Sequence, residues 1–123
     1  MKTFSWCLLL ITIALTSELV KGQEEGPQRF EERLLMEGFS YSFGVDIADL
    51  DGDGDLDITA ADALPNNCLY WFENDGQAGF SKHYVQRNDP ERLERHAIGD
   101  IDNDGYADIV IVKNLVGDLL WFR

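Results

Sequence analysis

From Phe43 onward the chain alternates short apolar runs with loops rich in Asp, Asn, Gly and Pro, a spacing too brief for helices and suited to strands. Taken in order, the runs predict strands at Phe43–Ala48, Ile58–Ala61, Cys68–Glu73 and Phe80–Gln86, then at His96–Gly99, Ile109–Lys113 and Asp118–Phe122. Asn74-Asp75-Gly76 is a strong turn between the third and fourth runs, and Pro65-Asn66-Asn67 separates the second from the third. The segment Ile109-Val110-Ile111-Val112 is apolar and β-branched throughout, which suits a strand covered on both sides. Successive strand side chains point to opposite faces, so Leu69 and Trp71 share one face while Tyr70 and Phe72 share the other. Both faces need cover, and neighbouring sheets are the expected source.

The pattern repeats. Laid on itself with a shift of 50 or 51 residues, the chain places Phe30 on Phe80, Asp49 on Asp100, Asp57 on Asp108, Leu69 on Leu119, Trp71 on Trp121 and Phe72 on Phe122. Self-similarity at about 50 residues marks stacked units such as propeller blades, none of which buries its apolar face alone. The expected class is therefore all-β: four-stranded antiparallel propeller blades, about two blades of a larger or oligomeric β-propeller. Residues 43–86 make blade one and residues 95–123 an incomplete blade two. Residues 30–36, matching the fourth strand of a unit, are expected as an outer strand, with a short helix over Phe30–Met36 as the alternative. Closed propellers use about four to eight blades, so two blades imply either a segment of a longer protein or a homo-oligomeric ring of copies.

Between the first two strands of each unit lies an acidic loop. Asp49-Leu50-Asp51-Gly52-Asp53-Gly54-Asp55-Leu56-Asp57 carries five carboxylates on alternate positions, and Asp100-Ile101-Asp102-Asn103-Asp104-Gly105-Tyr106-Ala107-Asp108 carries four. Two carboxylates 4–6 Å apart repel by roughly 3–4 kcal/mol at a mid-range effective dielectric, so such a turn asks for a cation. Oxygen ligands at positions 1, 3, 5 and 9, with Gly at position 6, describe a calcium site. The expected side-chain ligands are Asp49, Asp51, Asp53 and Asp57, then Asp100, Asp102, Asp104 and Asp108. The carbonyls of Asp55 and Tyr106 are expected at position 7, with the Asp55 side chain surplus and outward. An EF-hand would need a bidentate Glu at position 12, where this chain has Ala60 and Ile111, and helical flanks in place of strands. About two Ca2+ ions per chain are expected, with magnesium disfavoured by its demand for stricter geometry.

The ends and the charge narrow the setting. Residues 1–22 read as a secretory signal: Lys2, an apolar run from Cys7 to Leu15, and Val20-Lys21-Gly22 before a cleavage point. That run is too short to span a bilayer, and no later stretch is long enough. Residues 23–29 read as a disordered lead-in. The formal charge of −13, without a basic cluster, argues against nucleic acid and anionic membrane partners. Cys7 departs with the signal, which leaves Cys68 alone as a small buried strand residue. His83 and His96 occupy non-equivalent places in the repeat and are expected as sheet residues. No nucleophile elbow, His-Glu-x-x-His motif or phosphate loop is present, so no catalytic residue is expected. The aromatic set Tyr70, Trp71, Phe72, Trp121 and Phe122 is expected in the core between blades, with sugar stacking as the alternative.

These loops, together with Leu69-Tyr70-Trp71-Phe72-Glu73-Asn74-Asp75-Gly76 and Gly79-Phe80, resemble the FG-GAP or VCBS-type calcium-binding β-propeller repeats, also found in the heads of integrin α chains. The Phe-Gly-Gly-Ala-Pro-type signature is absent, although Phe43-Gly44 sits near its place, so a VCBS-type repeat is the closer likeness. The resemblance implies calcium in the loop between the first two strands of a blade, and a role in adhesion or glycan recognition. The expectation is a secreted, extracellular calcium-binding scaffold whose ligand is a glycan or an extracellular protein. The alternatives are the non-catalytic propeller portion of a larger secreted polysaccharide-active enzyme, and an oligomeric glycan-binding lectin.

Overall fold

A computed structural model describes residues 29–123. The expected signal at 1–22 lies outside the described residues, as does all of the lead-in except Arg29. Of a first unit spanning Met1–Glu32, only Arg29–Glu32 are described, and none of these four is in a strand. The second unit, Arg33–Arg123, contains seven strands and, among the described residues, no helix. No described helix is therefore long and apolar enough to cross a membrane.

The strands are β1 (Ser42–Ala48), β2 (Asp57–Asp62), β3 (Cys68–Asn74), β4 (Phe80–Gln86), β5 (Leu93–Gly99), β6 (Asp108–Lys113) and β7 (Asp118–Phe122). β1-β2-β3-β4 form one sheet and β5-β6-β7 a second, with every neighbouring pair antiparallel. All seven expected strands are present within a few residues of their predicted ends, in the order the apolar runs dictate. The registers of the two sheets are equivalent: Ile58 pairs with Phe72 and Thr59 with Trp71, as Ile109 pairs with Phe122 and Val110 with Trp121.

The alternation seen in the sequence sorts each sheet into two faces. Gly44, Asp46, Thr59, Ala61, Leu69 and Trp71 share one face of the first sheet through their cross-strand pairing. This face meets the side of the second sheet that carries His96, Ile98, Ile109, Ile111, Leu120 and Phe122, and β5 lies against β1 and β2. The core between the sheets is Ala61, Leu69, Leu93, Ile109 and Ile111, with Leu50, Val85, Ile98, Leu120 and Phe122 around it. Two polar contacts cross the same interface. Thr59 Oγ1 and His96 Nε2 lie 2.7 Å apart, and Asp46 Oδ2 accepts the Ile98 N–H at 3.1 Å. Gly44 is required there, since a Cβ at that position would lie 2.6 Å from His96 Nδ1.

Residues 30–36 do not form the expected outer strand, nor the alternative helix. A strand needs a partner edge, and the residues after Glu32 use side chains to cover a face instead. Met36 and Phe39 pack on a second apolar cluster, Ala60, Cys68, Tyr70 and Phe72, on the far side of the first sheet. Phe39 meets Tyr70 edge-on with ring centroids 5.6 Å apart, and Arg33 Nη1 donates to the Ala78 carbonyl at 3.4 Å.

The aromatic set is divided by this arrangement. Tyr70 and Phe72 are buried in the second cluster, while Trp71 and Phe122 are half-buried between the sheets. Trp121 departs from the expectation of core: it is 51% exposed, because among the described residues no sheet lies against its side of β7. Cys68 is buried and unpaired, and His83 and His96 are sheet residues, as read from the sequence.

Candidate metal loops

Each acidic segment closes an antiparallel pair, the first between β1 and β2 and the second between β5 and β6. Their turns share a backbone feature. Positions 4 and 6 take positive φ in both loops: Gly52 at 80° and Gly54 at 96°, Asn103 at 60° and Gly105 at 91°. Gly adopts this region freely and Asn is among the few other residues that tolerate it.

The carboxylates fold inward onto the N–H groups of their own loop. In the first loop Asp49 accepts from Gly52 and Gly54 at 2.8 and 3.0 Å, Asp51 from Asp53 at 3.1 Å, and Asp53 from Asp55 at 2.9 Å. In the second, Asp100 accepts from Asp104 and Gly105 at 3.1 and 3.0 Å, Asp102 from Asp104 at 3.2 Å, and Asp104 from Tyr106 at 2.9 Å. Position 9 closes each ring: Asp57 Oδ2 accepts the Leu50 N–H at 3.1 Å, and Asp108 Oδ2 the Ile101 N–H at 2.8 Å. Asp57 is fully buried, and its Oδ1 also accepts the Asn74 N–H at 2.8 Å, which ties the loop to the end of β3.

The predicted ligands divide under this geometry. Asp49, Asp51 and Asp53 bring one oxygen each within 4.8 Å of one another, and so do Asp100, Asp102 and Asp108. Asp57 stands outside the first trio, with both oxygens taken by backbone N–H groups. The side chain of Asp55 lies against the turn at Gly76. In the second loop Asp104 is held by Arg123, whose Nη2 is 3.0 Å away, and Arg123 Nε also reaches Asp102 at 2.8 Å. Tyr106 is largely exposed at position 7.

Arg123 is the residue that motif reading missed. The repeat alignment holds its signal, because Arg123 falls on Glu73, so one loop has a cation where the other has an acid. Glu73 is itself bound to His83 Nε2 at 2.6 Å. The titration of the loops follows this difference. Asp51 is held above the usual carboxylate range by reduced solvation, with the charges of Asp53, Asp57 and Glu73 adding to it. Asp104 is held below that range by the Tyr106 N–H first and by Arg123 second. The first loop thus concentrates uncompensated negative charge, while the second carries part of its counter-charge in the chain.

The donor groups consist of carboxylate oxygens alone, carried on a turn whose backbone is fixed by its own N–H bonds. Such a set suits a hard divalent cation and gives nothing to a soft metal. Comparison with known proteins gives one match. Residues 49–111, half of the chain, match the FG-GAP-like repeat family, and they span both acidic loops and the strands β2 to β5 between them. No curated protein and no solved structure matches the chain. With two equivalent sheets, two equivalent loops and a family match running from the first loop into β6, the chain belongs to the FG-GAP-like repeat family.

Proposed function

We propose that the chain is a secreted, calcium-binding repeat scaffold that serves binding or adhesion, with one structural Ca2+ in each acidic loop. The observation that carries this reading is the pair of carboxylate trios, each with one oxygen per residue within 4.8 Å, on turns that share positive φ at positions 4 and 6. Asp49, Asp51 and Asp53 would hold the first ion, and Asp100, Asp102 and Asp108 the second, with loop carbonyls and water completing the shell. Calcium accepts six to eight oxygen ligands in a flexible arrangement, which a surface turn of this kind supplies more readily than the strict octahedron of magnesium. Bound calcium would neutralise the repulsion within each loop and fix the connection between the first two strands of each sheet. At about 100 times its dissociation constant, one such ion stabilises the folded chain by roughly 2.7 kcal/mol.

Calcium titration by calorimetry tests the reading. Two binding events per chain are expected, and Asp53→Ala removes the first while leaving the second. Absence of heat with calcium, or loss of both events together, refutes it. A scaffold role further predicts capture of a glycan or an extracellular protein by the calcium-loaded chain, measured on glycan and extracellular-protein arrays.

A further inference from the structure

At positions 3 and 5 the two loops hold one carboxylate oxygen in the same way. The Oδ1 atom accepts the N–H two residues further on: Asp51 from Asp53 and Asp53 from Asp55, as Asp102 from Asp104 and Asp104 from Tyr106. The Oδ2 atoms differ. In the first loop those of Asp51 and Asp53 have no partner among the described residues. In the second loop they meet one guanidinium: Arg123 Nε lies 2.8 Å from Asp102 Oδ2, and Nη2 lies 3.0 Å from Asp104 Oδ2. We propose that Arg123 is a tethered counter-ion of the second loop, which calcium must displace, so that the two loops are unequal sites and the first fills before the second. The proposal rests on the calcium reading above and adds to it what sets the affinity of each loop.

The register shows why only one loop carries this cation. Ile58 pairs with Phe72 as Ile109 pairs with Phe122, so the residue after each aromatic stands at the same point of its sheet, beside its own loop. In the first sheet that residue is Glu73, close enough for its charge to act on Asp51. In the second it is Arg123, in contact with Asp102, the equivalent of Asp51. One repeat position thus adds negative charge to the first loop and neutralises part of it in the second. The first loop draws a cation from solution more strongly for that reason, while the second is partly satisfied without one.

The guanidinium also engages carboxylates that an ion would use. Positions 1, 3 and 5 form the first trio, Asp49, Asp51 and Asp53, whereas the second is Asp100, Asp102 and Asp108, at positions 1, 3 and 9. Asp104, the carboxylate at position 5, is outside the second trio and bound to Arg123. Asp102 belongs both to that trio and to Arg123. An arginine suits the place, because two donors on one edge of a rigid plane span two carboxylates, which the point charge of a lysine does less well. The Arg123 side chain is 64% exposed, so it leaves for solvent without stranding a buried charge. Its hold is that of an exposed ion pair, which is weak enough for a divalent ion to displace.

Calcium titration of the full chain by calorimetry at fixed ionic strength reads both loops, and Asp53→Ala, which removes the first event, assigns them. Two events of unequal affinity are expected, the weaker at the second loop. Arg123→Gln tightens the weaker event by about three- to tenfold, the weight of one or two exposed ion pairs, and leaves the stronger unchanged. Glu73→Arg carries the device to the first loop and weakens its event; Glu73→Gln, which removes the same charge without adding a cation, weakens it less. The Arg123 Nε–H resonance, followed by NMR, moves only as the second event saturates. A merely structural Arg123 gives the opposite sign, since Arg123→Gln would then loosen the second loop and weaken calcium there. That result, an unchanged second event, or an Nε–H resonance indifferent to calcium overturns the proposal while leaving two calcium sites standing. Absence of calcium from both loops overturns the calcium reading and the proposal together.

Discussion

Replacing Asp57 with Ala separates the work of the first loop's backbone from the work of the calcium proposed there. Asp57 is fully buried and accepts two N–H groups, from Leu50 at 3.1 Å and Asn74 at 2.8 Å, which bind both ends of the loop to the sheet. A hydrogen bond to a charged group contributes about 1.5–3 kcal/mol, so losing two costs about 3–6 kcal/mol before any relief. Removing one carboxylate also lessens the repulsion from Asp49, Asp51 and Asp53, which brings the expected net loss to about 2–4 kcal/mol. Against the roughly 5–15 kcal/mol of an ordinary domain, that is a large share. Urea unfolding in chelator is the assay. Asp57→Ala is expected to lower the midpoint even without calcium, while Asp57→Asn, which keeps one acceptor oxygen, loses about half as much. Asp51→Ala, whose carboxylate binds only an exposed loop N–H, is expected to lower the midpoint only when calcium is present. An Asp57→Ala chain as stable as the parent in chelator would refute the reasoning.

Three further outcomes follow from single contacts. Arg123→Gln frees Asp102 and Asp104 and is expected to strengthen calcium binding at the second loop without changing the first; calorimetry that shows no change, or a change at the first loop, contradicts the pairing. Gly44→Ala forces a Cβ against His96 and should destabilise the chain by about 1–3 kcal/mol, seen as a lower urea midpoint. His96 is held below its ordinary value of 6.5 by burial, with Asp46 opposing weakly, and its Nδ1 has no hydrogen-bond partner. The unfolded chain therefore binds the proton first as pH falls through about 6.5, so stability is full above that pH and declines below it. His96→Gln should flatten the decline, and an unchanged profile would show that another group governs it.

The strands were legible because each apolar run is short, β-rich and bounded by turn residues, and because the second sheet repeats the first. Ile109–Val112 and Cys68–Glu73 fall where their composition places them. The acidic loops were legible as a spacing, and the structure puts both between the first two strands of a sheet. What the sequence did not show depends on partners distant along the chain. Residues 30–36 carry a strand-like alignment with Phe80, yet whether a segment joins an edge or covers a face depends on the surface it meets. Trp121 repeats Trp71, yet among the described residues only Trp71 has a second sheet against it. Asp57 is expected as a ligand from its spacing, and the spacing does not show that it is buried and also ties the loop to the sheet through the Leu50 and Asn74 N–H groups. Arg123 lies nineteen or more residues from the carboxylates it pairs with, and only its alignment with Glu73 marks it.

The central claim is that the two equivalent loops are two separate calcium sites that hold the sheets in place. Native mass spectrometry of the chain, recorded in calcium and after chelation alongside a urea midpoint for each state, tests it most directly. The account predicts two calcium ions per chain in the first state, none in the second, and a lower midpoint once they are removed. Fewer than two ions per chain, or a midpoint that chelation leaves unchanged, would contradict it.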